Sequence, residues 1–201
     1  PVIEIEDAEA ALPLADALEA GGLPVAEITF RTPAARDAIA AIAAQRPGIL
    51  LGAGTVLRPA QVDEALEAGA RFGLAPGLNG DVLARSAEAG LPFAPGVMTP
   101  GEIEAALSAG CRMVKFFPAM AAGGPAMLKA IAGPYAHTGL CYNPTGGVTP
   151  ENMADWLALP QVRAVGGTWI ASRSDIVSGN WEAIADNARA AVAQVAAFRG
   201  G

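Results

Sequence analysis

The stretch that decides the fold runs from residue 59 to residue 116, with the sequence PAQVDEALEAGARFGLAPGLNGDVLARSAEAGLPFAPGVMTPGEIEAALSAGCRMVKF. Three times an alanine-rich helical run ends at an Ala-Gly pair, at Gly69, Gly90 and Gly110, and a short apolar run follows. Glycine just after the last apolar position of a helical pattern is typical of a helix C-terminus. The repeat therefore predicts one helix and one strand per unit, the βα unit of a parallel sheet.

The same alternation continues in both directions along the chain. Eight strand–helix units predict an α/β fold, a (β/α)₈ TIM barrel formed as a single domain over residues 1–201. An open doubly wound sheet is the alternative, but Leu57 stands where its fingerprint needs a third glycine after Gly52-Ala53-Gly54. The predicted strands are Val2–Ile5, Val25–Thr29, Ile49–Ala53, Phe72–Ala75, Pro92–Ala94, Met113–Phe116, Gly139–Tyr142 and Val162–Val165. The predicted helices are 7–20, 33–45, 59–69, 79–89, 99–109, 124–132, 149–158 and 181–198.

Composition narrows the class of protein further. Thirteen Lys and Arg against 20 Asp and Glu give a net charge of −7, which argues against a nucleic-acid partner. Gly, Pro or a charge interrupts each apolar run before the ~20 residues of a membrane span, so no membrane association is expected. Two cysteines and one histidine favour a reduced, cytoplasmic compartment and argue against a zinc site. We therefore expect a protein that works without metal or cofactor.

The candidate functional groups lie where the barrel strands end and the βα loops begin. Of the two lysines, Lys129 lies in a helical run, whereas Lys115 lies at the end of an apolar strand. A buried ammonium is costly unless it is paired or loses its proton, and a neutral amine can attack a ketone to form a Schiff base. Lys115 is thus a candidate nucleophile. The structural alternatives are an ion-pair partner in the barrel core and a lysine that extends its charged end to solvent.

Glu27 is the one acid at the ends of the second to eighth predicted strands. The second and sixth strands face each other across a barrel mouth, so Glu27 can act as general acid and base beside Lys115. A structural ion pair of Glu27 with Arg31 or Lys115 is the alternative. In the adjoining loops, Arg31 suits a carboxylate or phosphate, and Thr55 could donate to the same carboxylate; a surface role and a helix cap are equally compatible.

Two glycine pairs, Gly146-Gly147 and Gly166-Gly167, end the last two strands. Glycines there let backbone N–H groups approach an anion, and these two loops are the frequent phosphate site of barrels. Turns also require glycine, so each pair alone is weak evidence.

Six motifs follow one another in order over nearly the whole chain: Glu27-Ile-Thr-Phe-Arg31-Thr, Gly52-Ala-Gly-Thr55, Ala75-Pro76-Gly77, Val114-Lys115-Phe-Phe-Pro118-Ala, Pro144-Thr145-Gly146-Gly147 and Gly166-Gly167-Thr168-Trp169. Together they resemble the family of 2-keto-3-deoxy-6-phosphogluconate (KDPG) and 4-hydroxy-2-oxoglutarate (KHG) aldolases. The resemblance implies a metal-independent class I aldolase of the Entner–Doudoroff pathway, a homotrimer that splits a phosphorylated 2-keto acid into pyruvate and glyceraldehyde 3-phosphate.

The resemblance also assigns roles to individual residues. Lys115 would form the Schiff base and Glu27 would be the general acid and base. Arg31 and Thr55 would bind the substrate carboxylate. The remaining assignments are Pro76, Phe117 and Thr145 in the pocket, and Gly146, Gly147, Gly167 and Thr168 at the phosphate.

Some features depart from the family pattern. The N-terminal helix that usually precedes the first strand has no counterpart in this sequence, and Glu4 stands where an apolar residue is common. Met120 replaces a polar residue, the segment Thr138–Asn143 is longer than usual, and Thr168 replaces a serine. The aldehyde partner stays open, because phosphogalactonate-derived and 4-hydroxy-2-oxoglutarate substrates share the pyruvyl half. A phosphate-binding barrel isomerase, or a non-catalytic barrel used as an assembly subunit, are the alternatives to an aldolase.

Overall fold

Parallel strands alternate with helices throughout the computed structural model, which describes residues 1–199. The strands are β1 (Val2–Ile3), β2 (Val25–Thr29), β3 (Leu50–Gly54), β4 (Phe72–Leu74), β5 (Phe93–Ala94), β6 (Gly96–Val97), β7 (Met113–Phe116) and β8 (Cys141–Pro144). The α-helices are α1 (Ala11–Ala20), α2 (Ala35–Gln45), α3 (Pro59–Glu67), α4 (Gly80–Ala89), α5 (Pro100–Ser108), α6 (Gly124–Ala132), α7 (Met153–Leu157), α8 (Arg173–Ser178) and α9 (Trp181–Arg199). No helix within residues 1–199 is both long and apolar enough to cross a membrane.

The strands follow one another around a ring. One sheet has the order β1-β2-β3-β4-β5 and the other β6-β7-β8. The Lys115 N–H donates to the Pro95 carbonyl at 2.8 Å, which ties β7 to the chain between β5 and β6. The Val2 N–H donates to the Gly167 carbonyl at 2.9 Å. This bond joins β1 to the irregular segment 162–167, which stands in the place of the last predicted strand. The predicted TIM-barrel fold is confirmed.

Two apolar clusters lie between the strands and the helices. The first cluster holds residues of β1, β2 and β3 and of α1 to α4, together with α8 and α9. The second cluster holds residues of β6, β7 and β8 and of α5, α6 and α7. The side chains of Glu27 on β2 and Lys115 on β7 point into the barrel, where they contact each other.

The helix boundaries follow the capping signals in the sequence. In α5, Thr99 and Glu102 form a capping box, and Pro100 occupies the first turn. Asn79 caps the start of α4, which ends at Gly90 in the left-handed conformation. The short helix α8 is absent from the prediction, although Ser172 and Asp175 form its N-terminal cap.

Two prolines account for differences from the predicted strands. Pro95 separates β5 from β6, because proline has no N–H to donate to a ladder. The prediction of a regular strand at Val162–Val165 is wrong, since only single bridges occur there. Pro144 on β8 has no N–H to donate to this segment, so the pairing is interrupted there. The next hydrogen bond is donated by the Gly166 N–H to the Pro144 carbonyl at 2.8 Å.

Two other predicted elements are displaced or shortened. The strand predicted at Gly139–Tyr142 lies at Cys141–Pro144, because a 3₁₀ turn over Gly133–Thr138 extends the preceding helix. The helix predicted over 149–158 is reduced to α7. Asn152 explains the shortening, since its amide donates to the Gly147 carbonyl and its side-chain oxygen accepts from the Thr149 N–H, each at 2.9 Å.

Candidate active site

A buried ion pair lies inside the barrel between the second and sixth βα units. The Lys115 Nζ, on β7, donates to the Glu27 Oε1, on β2, at 3.0 Å. The side chains are only 4% and 7% exposed. Strand alternation explains the arrangement, because Val114 and Phe116 face the helices and leave Lys115 facing inward. The two groups were predicted to face each other across the barrel mouth, and in the structure they are in direct contact.

Gly54 makes the space that Glu27 occupies. In the β2–β3 ladder, Glu27 pairs with Gly52 and Thr29 with Gly54. A Cβ atom added at Gly54 would lie 2.3 Å from the Glu27 Oε1 and 2.8 Å from its Cγ. The second glycine of the Gly52-Ala53-Gly54 motif therefore leaves room for a carboxylate, a role that the sequence analysis did not assign to it.

Arg31 and Thr55, the two residues predicted to bind a carboxylate, contact each other. The Arg31 Nε donates to the Thr55 Oγ1 at 3.2 Å. Thr55 has a φ of 58°, in the left-handed region that L-residues other than glycine occupy at a cost of about 1–2 kcal/mol. The loop that carries Arg31 is anchored by the Thr29 hydroxyl, which donates to the Ile3 carbonyl at 2.9 Å.

Charged residues that the prediction missed surround Arg31. Glu4 directly follows β1, and its two carboxylate oxygens lie 3.6 Å from Arg31 Nη1 and 3.7 Å from Arg173 Nη1. Arg173 also pairs with Glu6. Glu27 is therefore not the one acid near the mouth. The first strand is two residues shorter than predicted, so that Glu4 lies beyond its end instead of within it.

Phe117 lies near the Lys115 amine, and Pro76 lies beside Gly96, which pairs with Lys115 in the β6–β7 ladder. The Lys115 Nζ is 5.8 Å from the centroid of the Phe117 ring. The Pro76 carbonyl lies against Gly96, where an added Cβ would be 2.0 Å from the carbonyl oxygen. Both residues are half-buried, as expected of a pocket wall.

The two glycine-rich loops lie side by side, joined by a bridge between Thr145 and Gly166. A Cβ at Gly166 would lie 2.3 Å from the Thr145 Oγ1, so this glycine makes room for the buried threonine. Gly146 and Gly147 have φ values of 96° and 79°, which favour glycine.

Several backbone N–H groups in these loops have no acceptor within residues 1–199. They include those of Gly146, Gly147, Gly167 and Thr168, the residues predicted to bind phosphate, and also those of Val148 and Trp169. Unpaired backbone N–H groups on adjacent loops form an anion site in many proteins. Thr168 also lines a cavity of about 380 Å³ together with Arg31, Glu4 and Arg173.

The structure offers no group of three or more His, Cys, Asp or Glu within residues 1–199 that could hold a metal ion. The one histidine, His137, is exposed on the 3₁₀ turn that precedes β8.

Comparison with known proteins gives the family. The family model described as KDPG and KHG aldolase matches residues 1–187. The chain belongs to the KDPG and KHG aldolase family. A 2-dehydro-3-deoxy-phosphogluconate aldolase of Haemophilus influenzae is 48% identical over 184 residues, 92% of this chain and 86% of the relative. A KHG/KDPG aldolase of Escherichia coli K12 is 44% identical over 192 residues, 96% of this chain and 89% of the relative.

A solved member of the KDPG and KHG aldolase family has the same fold. The crystal structure of the Legionella pneumophila KDPG aldolase is similar with a TM-score of 0.91 and 43% identity, and covers 94% of this chain and 91% of that chain. In that structure pyruvate is captured at low pH as a covalent carbinolamine. A carbinolamine is the adduct of an amine and a ketone, the first covalent species on the way to a Schiff base.

Proposed function

We propose that this chain is a class I aldolase that cleaves 2-dehydro-3-deoxy-6-phosphogluconate to pyruvate and glyceraldehyde 3-phosphate. The observation that carries the proposal is the buried contact of the Lys115 amine with the Glu27 carboxylate, 3.0 Å apart inside the barrel. The activities of the Haemophilus and Escherichia relatives and the carbinolamine of the Legionella enzyme support the same chemistry.

The Lys115–Glu27 pair can perform the proton transfers of imine formation. A proton passes from the Lys115 ammonium to Glu27, and the neutral amine attacks the C2 ketone. An amine proton moves to the new oxygen and gives the carbinolamine. The Glu27 carboxyl then protonates that oxygen, which leaves as water, and the iminium forms while Glu27 returns to its carboxylate form.

The iminium then accepts the electrons of the bond that breaks. Glu27, directly or through a water, takes the proton of the C4 hydroxyl. The C3–C4 bond breaks, its electron pair moves toward the iminium nitrogen, and the aldehyde leaves. The enamine that remains on Lys115 is protonated at C3, and hydrolysis of the resulting iminium releases pyruvate. Because the pair is shielded from bulk water, its charges act in a medium of low dielectric constant.

The two ends of the substrate fit the two polar regions of the mouth. The guanidinium of Arg31 and the hydroxyl of Thr55 bind the pyruvyl carboxylate. The unpaired N–H groups of Gly146, Gly147, Gly167 and Thr168 bind the phosphate at the far end. Pro76, Phe117 and Thr145 line the pocket between them. Binding at both ends holds the C3–C4 bond in the geometry for cleavage.

Borohydride reduction in the presence of pyruvate tests the proposal. We expect intact mass spectrometry to detect one reduced pyruvyl adduct, and peptide mapping to locate it on Lys115. Lys115→Ala abolishes the adduct, whereas Lys129→Ala, which removes the other lysine from α6, leaves it unchanged. Trapping that persists in Lys115→Ala would disprove the assignment of the nucleophile.

The name of the Escherichia relative supports a second substrate, 4-hydroxy-2-oxoglutarate. It shares the pyruvyl half, so the same Lys115, Glu27 and Arg31 groups would act on it. Comparison of kcat/KM for the phosphogluconate-derived, phosphogalactonate-derived and 4-hydroxy-2-oxoglutarate substrates decides the preference. We expect the phosphogluconate-derived substrate to be cleaved best.

We also propose that the protein is a cytoplasmic homotrimer, on the strength of the family resemblance. Light scattering coupled to size-exclusion chromatography measures the mass of the assembly. A mass of three chains supports the proposal, and a monomer or dimer contradicts it.

A further inference from the structure

Asn143 is a buried polar residue beside the catalytic pair with no assigned role. It pairs in register with Lys115 across the β7–β8 ladder. The preceding Tyr142 packs in the second apolar cluster on the helix side, so Asn143 faces the barrel interior. Asn143 is only 9% exposed. Its Oδ1 accepts no hydrogen bond from any group within residues 1–199.

Asn143 and Glu27 are among the residues that line one cavity, which extends to the N-terminal ends of the strands at Val25, Leu50 and Met113. This cavity has a volume of about 550 Å³, and most of its other lining residues are apolar, with Ser86 and Arg112 as polar exceptions. A buried carboxamide without a partner costs free energy, so such groups are nearly always hydrogen-bonded to protein or to ordered water. A cavity of this volume with Asn143 and Glu27 among its polar lining residues has the room and the partners that a bound water needs.

We propose that Asn143 is a positioning residue for Glu27 and holds a water molecule between its carboxamide and the Glu27 carboxylate. One oxygen of Glu27 accepts from Lys115, and the water fixes the orientation of the carboxylate from the cavity side. The inference rests on the proposed function, because it concerns the proton transfers of that reaction. The position of the water follows from the cavity that Asn143 and Glu27 both line and from the register of Asn143 with Lys115.

The exchange of the C3 protons of pyruvate isolates the step that Glu27 must perform. In this half-reaction Glu27 takes a proton from C3 of the pyruvyl iminium to give the enamine, and a solvent-derived proton returns to C3. In deuterated water the methyl group of pyruvate therefore gains deuterium. The rate depends on the orientation of Glu27, whereas the amount of iminium trapped at equilibrium depends on Lys115.

Three substitutions separate positioning from a purely structural role. Asn143→Leu fills the space with apolar atoms and excludes the water, and we expect kcat and the exchange rate to fall roughly 10-fold, as expected for a small misplacement of an acid–base group. Asn143→Ala leaves space for a second water in place of the carboxamide, and Asn143→Ser keeps a hydroxyl; both should retain more activity than Asn143→Leu. The KM and the equilibrium amount of trapped iminium should change less than about threefold.

Thermal unfolding provides the second measurement. The Tm of Asn143→Leu should equal or exceed that of the wild type, because the substitution removes a buried polar group. A structural role predicts the reverse, with activity and Tm falling together in all three variants. Tyr142→Phe is the matched control, since Tyr142 is adjacent, buried and also has an unpartnered hydroxyl, but it faces the helices. Its kcat and exchange rate should equal those of the wild type.

Two results would overturn the role of Asn143. One is wild-type kcat and exchange in Asn143→Leu, and the other is activity that follows Tm across the variants. A wild-type enzyme that neither traps pyruvate nor exchanges its methyl protons would instead refute the proposed function.

Discussion

Replacement of Gly54 by alanine should separate catalysis from stability. The added Cβ would lie 2.3 Å from the Glu27 Oε1 and 2.9 Å from its Cδ, whereas ordinary contacts begin at 3.4 Å. The whole carboxyl group must therefore move by about 1 Å, a misplacement that can cost roughly 100-fold in rate. The φ of Gly54 lies outside the left-handed region, so alanine fits its backbone.

The expected result is a kcat/KM for KDPG cleavage about 100-fold below that of the wild type, with a free energy of unfolding changed by less than about 1 kcal/mol. A coupled assay that reduces the released pyruvate measures the first quantity, and urea denaturation measures the second. Gly101→Ala is the matched control, because a Cβ there meets nothing within 4 Å. A Gly54→Ala enzyme with full activity would refute the argument that this glycine sets the position of Glu27.

Three further outcomes follow from the structure. Thr55→Gly removes a hydroxyl from the carboxylate site and relieves a φ of 58°, so the KM for pyruvate in the condensation direction should rise roughly 10-fold without loss of stability in thermal unfolding. Gly167→Val places a side chain against the Trp169 ring, where a Cβ alone would be 2.7 Å away. Displacement of the loop should lower kcat/KM for phosphorylated substrates by about 10–150-fold and kcat/KM for 4-hydroxy-2-oxoglutarate much less. Equal losses of kcat/KM for both substrates would place the phosphate elsewhere. The pKa of Glu102 is affected most by burial, which raises it, but hydrogen bonds from Met98 and Thr99 outweigh burial and hold it below its ordinary 4.5. Glu102→Ala should therefore destabilise the protein above about pH 4.5 and progressively less as the pH falls through the lowered pKa, as followed by urea denaturation at several pH values.

The proximity of Lys115 and Glu27 could be predicted because it depends on strand order alone. Lys115 is the lysine near the end of an apolar strand, and Glu27 lies within the strand that faces it in an eight-stranded ring. Neither inference requires knowledge of the exact register. The motifs that contain these residues identify the family, and the family model confirms that identification.

The roles of Gly54, Gly166 and Asn143 could not be predicted, because they depend on contacts across neighbouring strands. A glycine in a strand pattern does not reveal which side chain occupies the space beside it. Glu4 and Arg173 were missed for a different reason. Glu4 was predicted to lie within the first strand, which ends at Ile3 instead of Ile5, and Arg173 begins α8, whose six residues are too few for a periodic pattern to predict.

The two apolar clusters divide the barrel into a larger and a smaller half, and the catalytic contact joins them. Glu27 belongs to the five-stranded sheet and Lys115 to the three-stranded one. On one side the halves meet at Pro95, between β5 and β6. On the other side they meet where Val2 on β1 contacts the irregular segment 162–167, whose pairing with β8 is interrupted at Pro144. The Lys115–Glu27 distance therefore measures how closely the halves dock. Separation of the halves would lengthen this contact, so the proposed chemistry depends on the junction between the halves as well as on the two cores.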